Sequence, residues 1–332
     1  MSNEPLDVVG IGNAIVDIIA HCDDAFLEAH GSQKGFTALH DLETVQRLYD
    51  AAGPALETSG GSAANTIAGV ANYGGKAAYI GKVADDEFGR IFAHDIQSIG
   101  VEYTTVPKTG SAPTARSLIL VTPDGERTMH TFLGVSPEFE SADLDPALIA
   151  RGNILYLEGY LFDRPEAQAA FYEAARIARE AGKRVALTLS DAFCVDRHRD
   201  AFLDIITNGT DLLFANESEL LSLTGVADFD TAVAEITPLA PICAITRNKD
   251  GSVISVDGEK HAIPSVPVEK VVDSTGAGDL YAAGVLFGFS RNLPVEVCGQ
   301  LGSLAASETI GQIGPRPRAD LRDRAQKIGI AV

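Results

Sequence analysis

Residues 271–284 read VVDSTGAGDLYAAG: an apolar pair and an acid, then Gly276, Ala277 and Gly278, then Asp279 and a helix-forming run. The backbone N–H groups of Gly276, Ala277 and Gly278 would converge on one point at the positive end of that helix, where a phosphate or another anion is stabilised. A carboxylate at the same place should repel an anion, so Asp279 needs a reason. One reason is chemical: an anion hole suits the charge that develops in phosphoryl transfer, and a carboxylate beside it can take the proton of an attacking hydroxyl. The plainer alternative is an acidic first-turn residue, stabilised by the helix dipole by about 0.3–1 kcal/mol.

Around this stretch, short apolar runs alternate with amphipathic ones. DVVGIG (7–12), AAYIGKV (77–83), NILYLEG (153–159), RVALTLS (184–190), DLLFAN (211–216) and ICAIT (242–246) read as strands, and 165–182 carries Phe171, Ala175 and Ile177 at helical spacing. Strands apolar throughout and separated by helices predict a parallel sheet covered on both faces, with ligands beyond the carboxyl ends of its strands. One segment departs from that rhythm. ARSLILVTPDGERTMHTFLG (115–134) sets two β-rich runs around Pro123-Asp124-Gly125, a hairpin signal, and alternation over 128–132 predicts a half-exposed antiparallel strand. Together with 13–45 it predicts a small β lid, contributed by about 13–45 and 101–140 and inserted into a single domain spanning 1–332.

Composition narrows the partners. The 332 residues are 45% hydrophobic and 22% charged, ordinary for a folded chain with a sizeable core. No apolar run approaches the ~18 residues of a membrane span, and MSNEPLDVVGIGNAIVD lacks the basic segment and apolar run of a secretory signal. Cys22, Cys194, Cys243 and Cys298 lie far apart without metal-ligand spacing, as reduced core thiols of a cytoplasmic protein would. The seven histidines form no HxH or HExxH pattern. A net charge of −20 argues against nucleic acid. It also means that any phosphate ligand must be held by local donors, helix N-termini or a metal.

Two further glycine stretches matter. In GIGNAIVD (10–17), Ile15 stands where a dinucleotide fingerprint needs its third glycine. Asn13 and Asp17, just past the first strand, read either as an amide and a carboxylate gripping vicinal hydroxyls or as a turn asparagine and a helix-capping acid. In TSGGSAANTIAGVANYGG (58–75), Gly60 and Gly61 let backbone approach a ligand closely, and Asn65 offers donor and acceptor to a polyol. No Gly-x₄-Gly-Lys-Ser/Thr occurs, which disfavours a P-loop enzyme.

DSTGAGD (273–279), GGSAAN (60–65) and NESE (216–219) occur in the chain, and with them it resembles the ribokinase-like (PfkB) carbohydrate kinases, whose signatures are of the DTxGAGD, GGxxxN and NxxE types. Ser274 is the one untidy position. The resemblance covers nearly the whole chain and implies an α/β, three-layer fold: a mainly parallel central sheet flanked by helices, with a small β-sheet lid. It implies ATP-dependent phosphorylation of an alcohol, with Asp279 as catalytic base and Gly276, Ala277 and Gly278 as the anion hole. Asn216 and Glu219 would organise Mg²⁺ and phosphate through water, since Mg²⁺ keeps much of its hydration. Metal and backbone dipoles, not a basic surface, would then hold the triphosphate. Thr246, Arg247 and Gly251, in ITRNKDGSVI (245–254), lie where relatives place ATP contacts, although a plain turn at Asp250-Gly251 explains the same residues. Asp273, Thr275 and the loop around Gly314 lie where many relatives bind a monovalent cation such as K⁺.

Within the family the chain is most similar to the adenosine kinase branch, through GNAIVDI, matching GNxxxD, and through LTLSDAFCVDRHRDAFLDII (187–206) before DLLFANESE. That implies Asn13, Asp17, Gly60, Gly61 and Asn65 at the acceptor's hydroxyls, and Phe36, Leu133, Tyr160, Leu161 and Phe193 around a purine, the aromatic members adding stacking area. HGSQKGFTALH (30–40) departs from the branch at the base pocket, so a sugar kinase acting on ribose, fructose or a keto-sugar acid is the rival. The expected partners are ATP and a nucleoside or sugar, with neither nucleic acid nor membrane, in a monomer or homodimer.

Overall fold

A computed structural model describes residues 4–332. Its strands are β1 (Leu6–Ile11), β2 (Ile15–His21), β3 (Thr37–Leu39), β4 (Ala55–Gly60), β5 (Ala77–Ile80), β6 (Glu102–Tyr103), β7 (Ala115–Val121), β8 (Arg127–Phe132), β9 (Gly152–Glu158), β10 (Arg184–Thr188), β11 (Leu212–Asn216), β12 (Ile242–Thr246), β13 (Ser252–Val256) and β14 (Glu259–Ile263). Its helices are α1 (Asp24–Ala29), α2 (Leu42–Ala51), α3 (Ser62–Asn72), α4 (Glu87–Ser98), α5 (Pro146–Arg151), α6 (Pro165–Glu180), α7 (Ala192–Gly209), α8 (Glu217–Thr224), α9 (Phe229–Ile236), α10 (Ala277–Ser290), α11 (Val295–Ile310) and α12 (Leu321–Lys327).

The larger sheet runs β14-β13-β12-β11-β10-β9-β1-β5-β6. From β12 to β6 all neighbours are parallel, and β13 and β14 close one edge antiparallel. The six apolar runs become β1, β5, β9, β10, β11 and β12. They are apolar throughout because successive side chains enter different cores. Val8, Tyr156 and Phe214 pack with Ile67 of α3, Leu280 of α10 and Leu301 of α11. Val9, Leu155 and Leu213 pack with Phe171 of α6, Phe202 of α7 and Leu220 of α8. Helices on both faces of the sheet make three layers.

The smaller sheet, ordered β3-β8-β7-β2-β4, contains the hairpin around Pro123-Asp124-Gly125 as β7 and β8. Two boundaries differ from expectation. β4 lies outside 13–45 yet pairs antiparallel with β2, whereas β6, inside 101–140, pairs with β5 in the large sheet. ALETSG is not among the expected strands, since β4 is an edge strand whose first residues face solvent. Nor is 128–132 half exposed. Thr128, His130 and Thr131 are all buried, because β8 runs between β7 and β3 and packs against α2. His130 Nδ1 lies 2.9 Å from His40 Nε2, a contact made only in the tertiary fold.

Val16, Ile18, Leu118 and Leu120 form one face of this sheet, packed on Leu27 of α1 and on Val45 and Leu48 of α2. The opposite face carries Asp17 and Ile19, whose partners on β4 are Thr58 and Leu56. No described helix is long and apolar enough to cross a membrane.

Candidate active site

The opening stretch folds as a turn feeding α10. Gly276 caps that helix in the left-handed region, at φ 77°, where glycine carries no steric penalty. A Cβ there would also lie 2.7 Å from the Pro315 Cα. No side chain caps α10; the Ala277 N–H donates to the Ser274 carbonyl at 3.2 Å, and the Gly278 N–H after it stays open to an anion. The helix is buried from Leu280 to Ser290, which fixes the direction of its dipole. Asp279 sits in the first turn. Its Oδ1 accepts from Ser62 Oγ at 2.6 Å and its Oδ2 from Asn65 Nδ2 at 3.2 Å. Burial pushes its carboxyl up to about 6, and those two hydrogen bonds hold it from rising further.

Ser62 and Asn65 come from the start of α3, whose N-cap is Gly61 at φ 97°. The N–H of Ala63 there donates to Glu158 Oε2 at 2.7 Å. Glu158, at the end of β9, is fully buried and pushed up to about 7 by that burial. It also accepts from the Asn13 backbone N–H and, at 2.7 Å, from Asn13 Nδ2. Asn13 Oδ1 takes the Ser136 hydroxyl at 2.8 Å. The Asn13 amide is therefore occupied in joining β1, α3 and the segment after β8, not turned toward a ligand.

Asp17 differs. It is 6% exposed, and among the described residues its carboxylate makes no hydrogen bond or ion pair. Burial pushes it up to about 7, with the guanidinium groups of Arg316 and Arg127 pulling down and Asp279 pushing up. Gly60 makes room for it, since a Cβ there would lie 2.3 Å from the Asp17 carboxyl carbon.

A cavity of about 610 Å³ opens beside Asp279, lined also by Ser62, Ser274, Ala277 and Gly278 and reaching the β12–β13 turn. Asn216 and Glu219 line it as a capping box. Asn216 Oδ1 accepts from the Glu219 N–H at 2.9 Å, and Glu219 Oε2 accepts from the Asn216 N–H at 2.9 Å. Burial raises the Glu219 carboxyl to about 7. Thr246 and Gly251 line the cavity, and at the latter a Cβ would meet the Ile263 carbonyl oxygen at 2.1 Å. Arg247 does not line it: its Nε pairs with Glu217 at 3.3 Å and its guanidinium lies 4.0 Å over the Phe229 ring. Lys249 instead brings a cation to the cavity wall, a residue the sequence signal left inside a turn.

Thr275 and Asp273 stand next to the cavity. Asp273 Oδ1 accepts from the Thr275 N–H at 3.0 Å and Oδ2 from the Gly314 N–H at 3.1 Å. Oδ2 also lies 3.0 Å from Arg127 Nε of β8. A guanidinium thus already neutralises Asp273, and this donor set does not fit a monovalent cation there. The Nη1 and Nη2 donors of Arg127 are buried without a partner.

The five residues read as a purine enclosure separate. Leu161 is core, packed among the residues under α6 and α7. Phe193 and Phe36 are 76% and 57% exposed, Tyr160 is 41% exposed, and Leu133 is half-buried. Among the described residues none of the three aromatics makes a ring contact. Their spacing in sequence held no information about which way each turns. Ser62, Glu158, Arg127 and Arg316 join the site without being expected from the motifs. Only Ser62 carried a signal, by its place inside GGSAAN.

The whole chain resembles solved kinase structures. A crystal structure of adenosine kinase from Sinorhizobium meliloti is 49% identical, covers 98% of this chain and 100% of its own, and superposes with a TM-score of 0.89. That of a probable sugar kinase from Rhizobium etli CFN 42 is 48% identical, covers 98% and 99%, and has a TM-score of 0.90. Fructokinase-1 of Oryza sativa subsp. japonica is 30% identical over 254 residues, 74% of this chain and 78% of that protein. The model of the pfkB family of carbohydrate kinases matches residues 52–321, a span holding GGSAAN, NESE and the uncapped start of α10 with Asp279. The chain belongs to the pfkB carbohydrate kinase family and is a phosphotransferase.

Proposed function

We propose that this kinase transfers the γ-phosphate of ATP to a ribose hydroxyl of a nucleoside, adenosine before others. The observation that carries the acceptor is Asp17. A buried carboxylate without a partner is costly, and vicinal hydroxyls would give both its oxygens donors. Ile19 and Leu56 lie beyond it on the same sheet face and offer apolar surface to a base, which a free sugar would leave uncovered. The adenosine kinase at 49% identity supports the same reading.

In the reaction, the acceptor hydroxyl gives its proton to the Asp279 carboxylate. Its oxygen bonds to the γ-phosphorus as the bond from that phosphorus to the bridging oxygen of ADP breaks. Negative charge on the phosphoryl oxygens faces the open Gly278 N–H at the start of α10. Mg²⁺ would supply charge neutralisation on the phosphates. Asn216 and Glu219, oxygen donors already joined to each other, suit a hydrated ion held through water rather than a protein cage. The small sheet, bearing Asp17 and Arg127, acts as a lid that keeps water from the phosphoryl group.

The test is an acceptor panel with Mg-ATP: adenosine, other nucleosides, ribose, fructose and a keto-sugar acid. Adenosine is expected to give the highest kcat/KM. A free sugar that outperforms every nucleoside would overturn the acceptor while leaving the kinase chemistry intact. That rival has its own support in the exposure of Phe36 and Phe193, which close no base pocket, and in fructokinases among the relatives.

A further inference from the structure

Arg316 lies in the segment between α11 and α12, far from every signature stretch. Its guanidinium is forked among three acceptors: Nη1 to Asp95 Oδ2 on α4 at 3.1 Å, Nη2 to Ser59 Oγ on β4 at 2.8 Å, and Nε to Asn65 Oδ1 on α3 at 3.4 Å. Asp95 Oδ2 also accepts from the Ser59 N–H and hydroxyl, at 2.8 and 2.6 Å. The residues before it touch the site as well. Gly314 donates to Asp273, and Pro315 sits where a Cβ on Gly276 would be. One short loop thus contacts the anion-hole turn, the root of the lid and the helix that faces Asp279.

The contact to Asn65 has a chemical consequence. An amide has one oxygen and one nitrogen, and their places are decided by what surrounds them. Here Nδ2 faces the Asp279 carboxylate at 3.2 Å and Oδ1 faces the guanidinium. Turned by 180°, the amide would set oxygen against carboxylate and NH₂ against guanidinium, two repulsive contacts in place of two attractive ones. Without Arg316, only Asp279 would oppose that turn.

We infer that Arg316 is a positioning residue of this kinase: clamped by Asp95 and Ser59, it fixes the Asn65 amide so that its donor points at the Asp279 carboxylate. The inference rests on the reading of Asp279 as base. The other titratable groups that face Asp279 are Asp17 on β2, Tyr156 and Glu158 on β9, Tyr160 beyond it and Glu219 on α8. The three carboxylates oppose its ionisation when charged, so its hydrogen-bond donors matter more than they would in isolation.

The experiment is a pH profile of kcat and kcat/KM for the wild type, Arg316→Gln, Asn65→Ala, their double variant, Asp95→Asn and Asp279→Asn. Arg316→Gln should lower kcat near pH 8 about tenfold, the worth of one hydrogen bond to a charged group. It should also move the acid limb to higher pH and leave the KM for ATP within about twofold, because the substitution lies away from the nucleotide cavity. In the Asn65→Ala background the same change should no longer move the limb, since the two act in series. Asp95→Asn, which keeps the guanidinium but loosens its clamp, should move the limb in the same direction by less, and it serves if Arg316→Gln does not fold. A lowered melting temperature with an unmoved acid limb would overturn the inference, as would effects of Arg316→Gln and Asn65→Ala that add in full. If Asp279→Asn is inactive while Arg316→Gln keeps the wild-type limb, this inference alone falls. If Asp279→Asn turns over normally, the base assignment falls and takes this inference with it.

Discussion

Replacing Asp17 by Asn should make the ligand-free protein more stable while impairing acceptor binding. The Asp17 carboxyl titrates at about 7 in the fold against an ordinary 3.8, chiefly because burial disfavours its charge. A carboxyl raised in the folded state costs nothing below about pH 4, where folded and unfolded chains both hold the proton. The cost grows as pH rises through the window between the two values and is complete above about 7. Three units at ~1.36 kcal/mol each put the full penalty at no more than about 4 kcal/mol, of which roughly 1.5 is already present at pH 5. Asparagine has the shape of the protonated acid and never ionises, so the variant escapes the penalty. For a chain of this size 4 kcal/mol corresponds to a melting temperature higher by ~6 °C at pH 8, shrinking to ~2 °C at pH 5. The assay is thermal unfolding of both proteins without ligand across that range. Other buried carboxylates titrate in both proteins, so the difference between them isolates Asp17. A stability difference that is zero, or that does not change between pH 5 and pH 8, would refute the picture of an unpartnered buried carboxylate. In parallel, the KM for the acceptor should rise at least about tenfold, as expected when a hydrogen-bonded charge is removed, with the KM for ATP unchanged.

Turnover of the wild type should fall as pH drops through about 6, since Asp279 must be ionised to take a proton and its carboxyl is raised to that value. Asp279→Asn should lose at least about a hundredfold in kcat, and normal activity in that variant would remove the base assignment. Gly60→Ala should weaken acceptor binding rather than ATP binding, because its Cβ would enter the space of the Asp17 carboxylate; a KM for the acceptor within about twofold of wild type would count against that packing.

Much of the frame is legible in the sequence. Continuous apolar runs gave the strands of the parallel sheet, and Pro123-Asp124-Gly125 gave the hairpin, because both signals are local. β4 was missed for the converse reason. ALETSG has neither the alternation nor the apolar character of a buried strand, and it becomes one only by pairing with β2 along Ile15–Ala20.

For the site, the sequence by itself determined the pieces whose geometry is set within a few residues. These are the left-handed glycine and uncapped start of α10, the glycine pair before α3 and the Asn216–Glu219 capping box, where backbone conformation and hydrogen bonding follow from neighbouring residue types. What only the tertiary structure decided is how distant groups meet. Asp279 takes its hydrogen bonds from Ser62 and Asn65, more than 210 positions away. Asn13 is occupied by Glu158, Asp273 is claimed by Arg127, and Arg316 reaches Asn65 from beyond α11. A side chain's partner in a closely packed site depends on which elements are brought side by side and on the direction each face turns. Neither is written in the few residues around it.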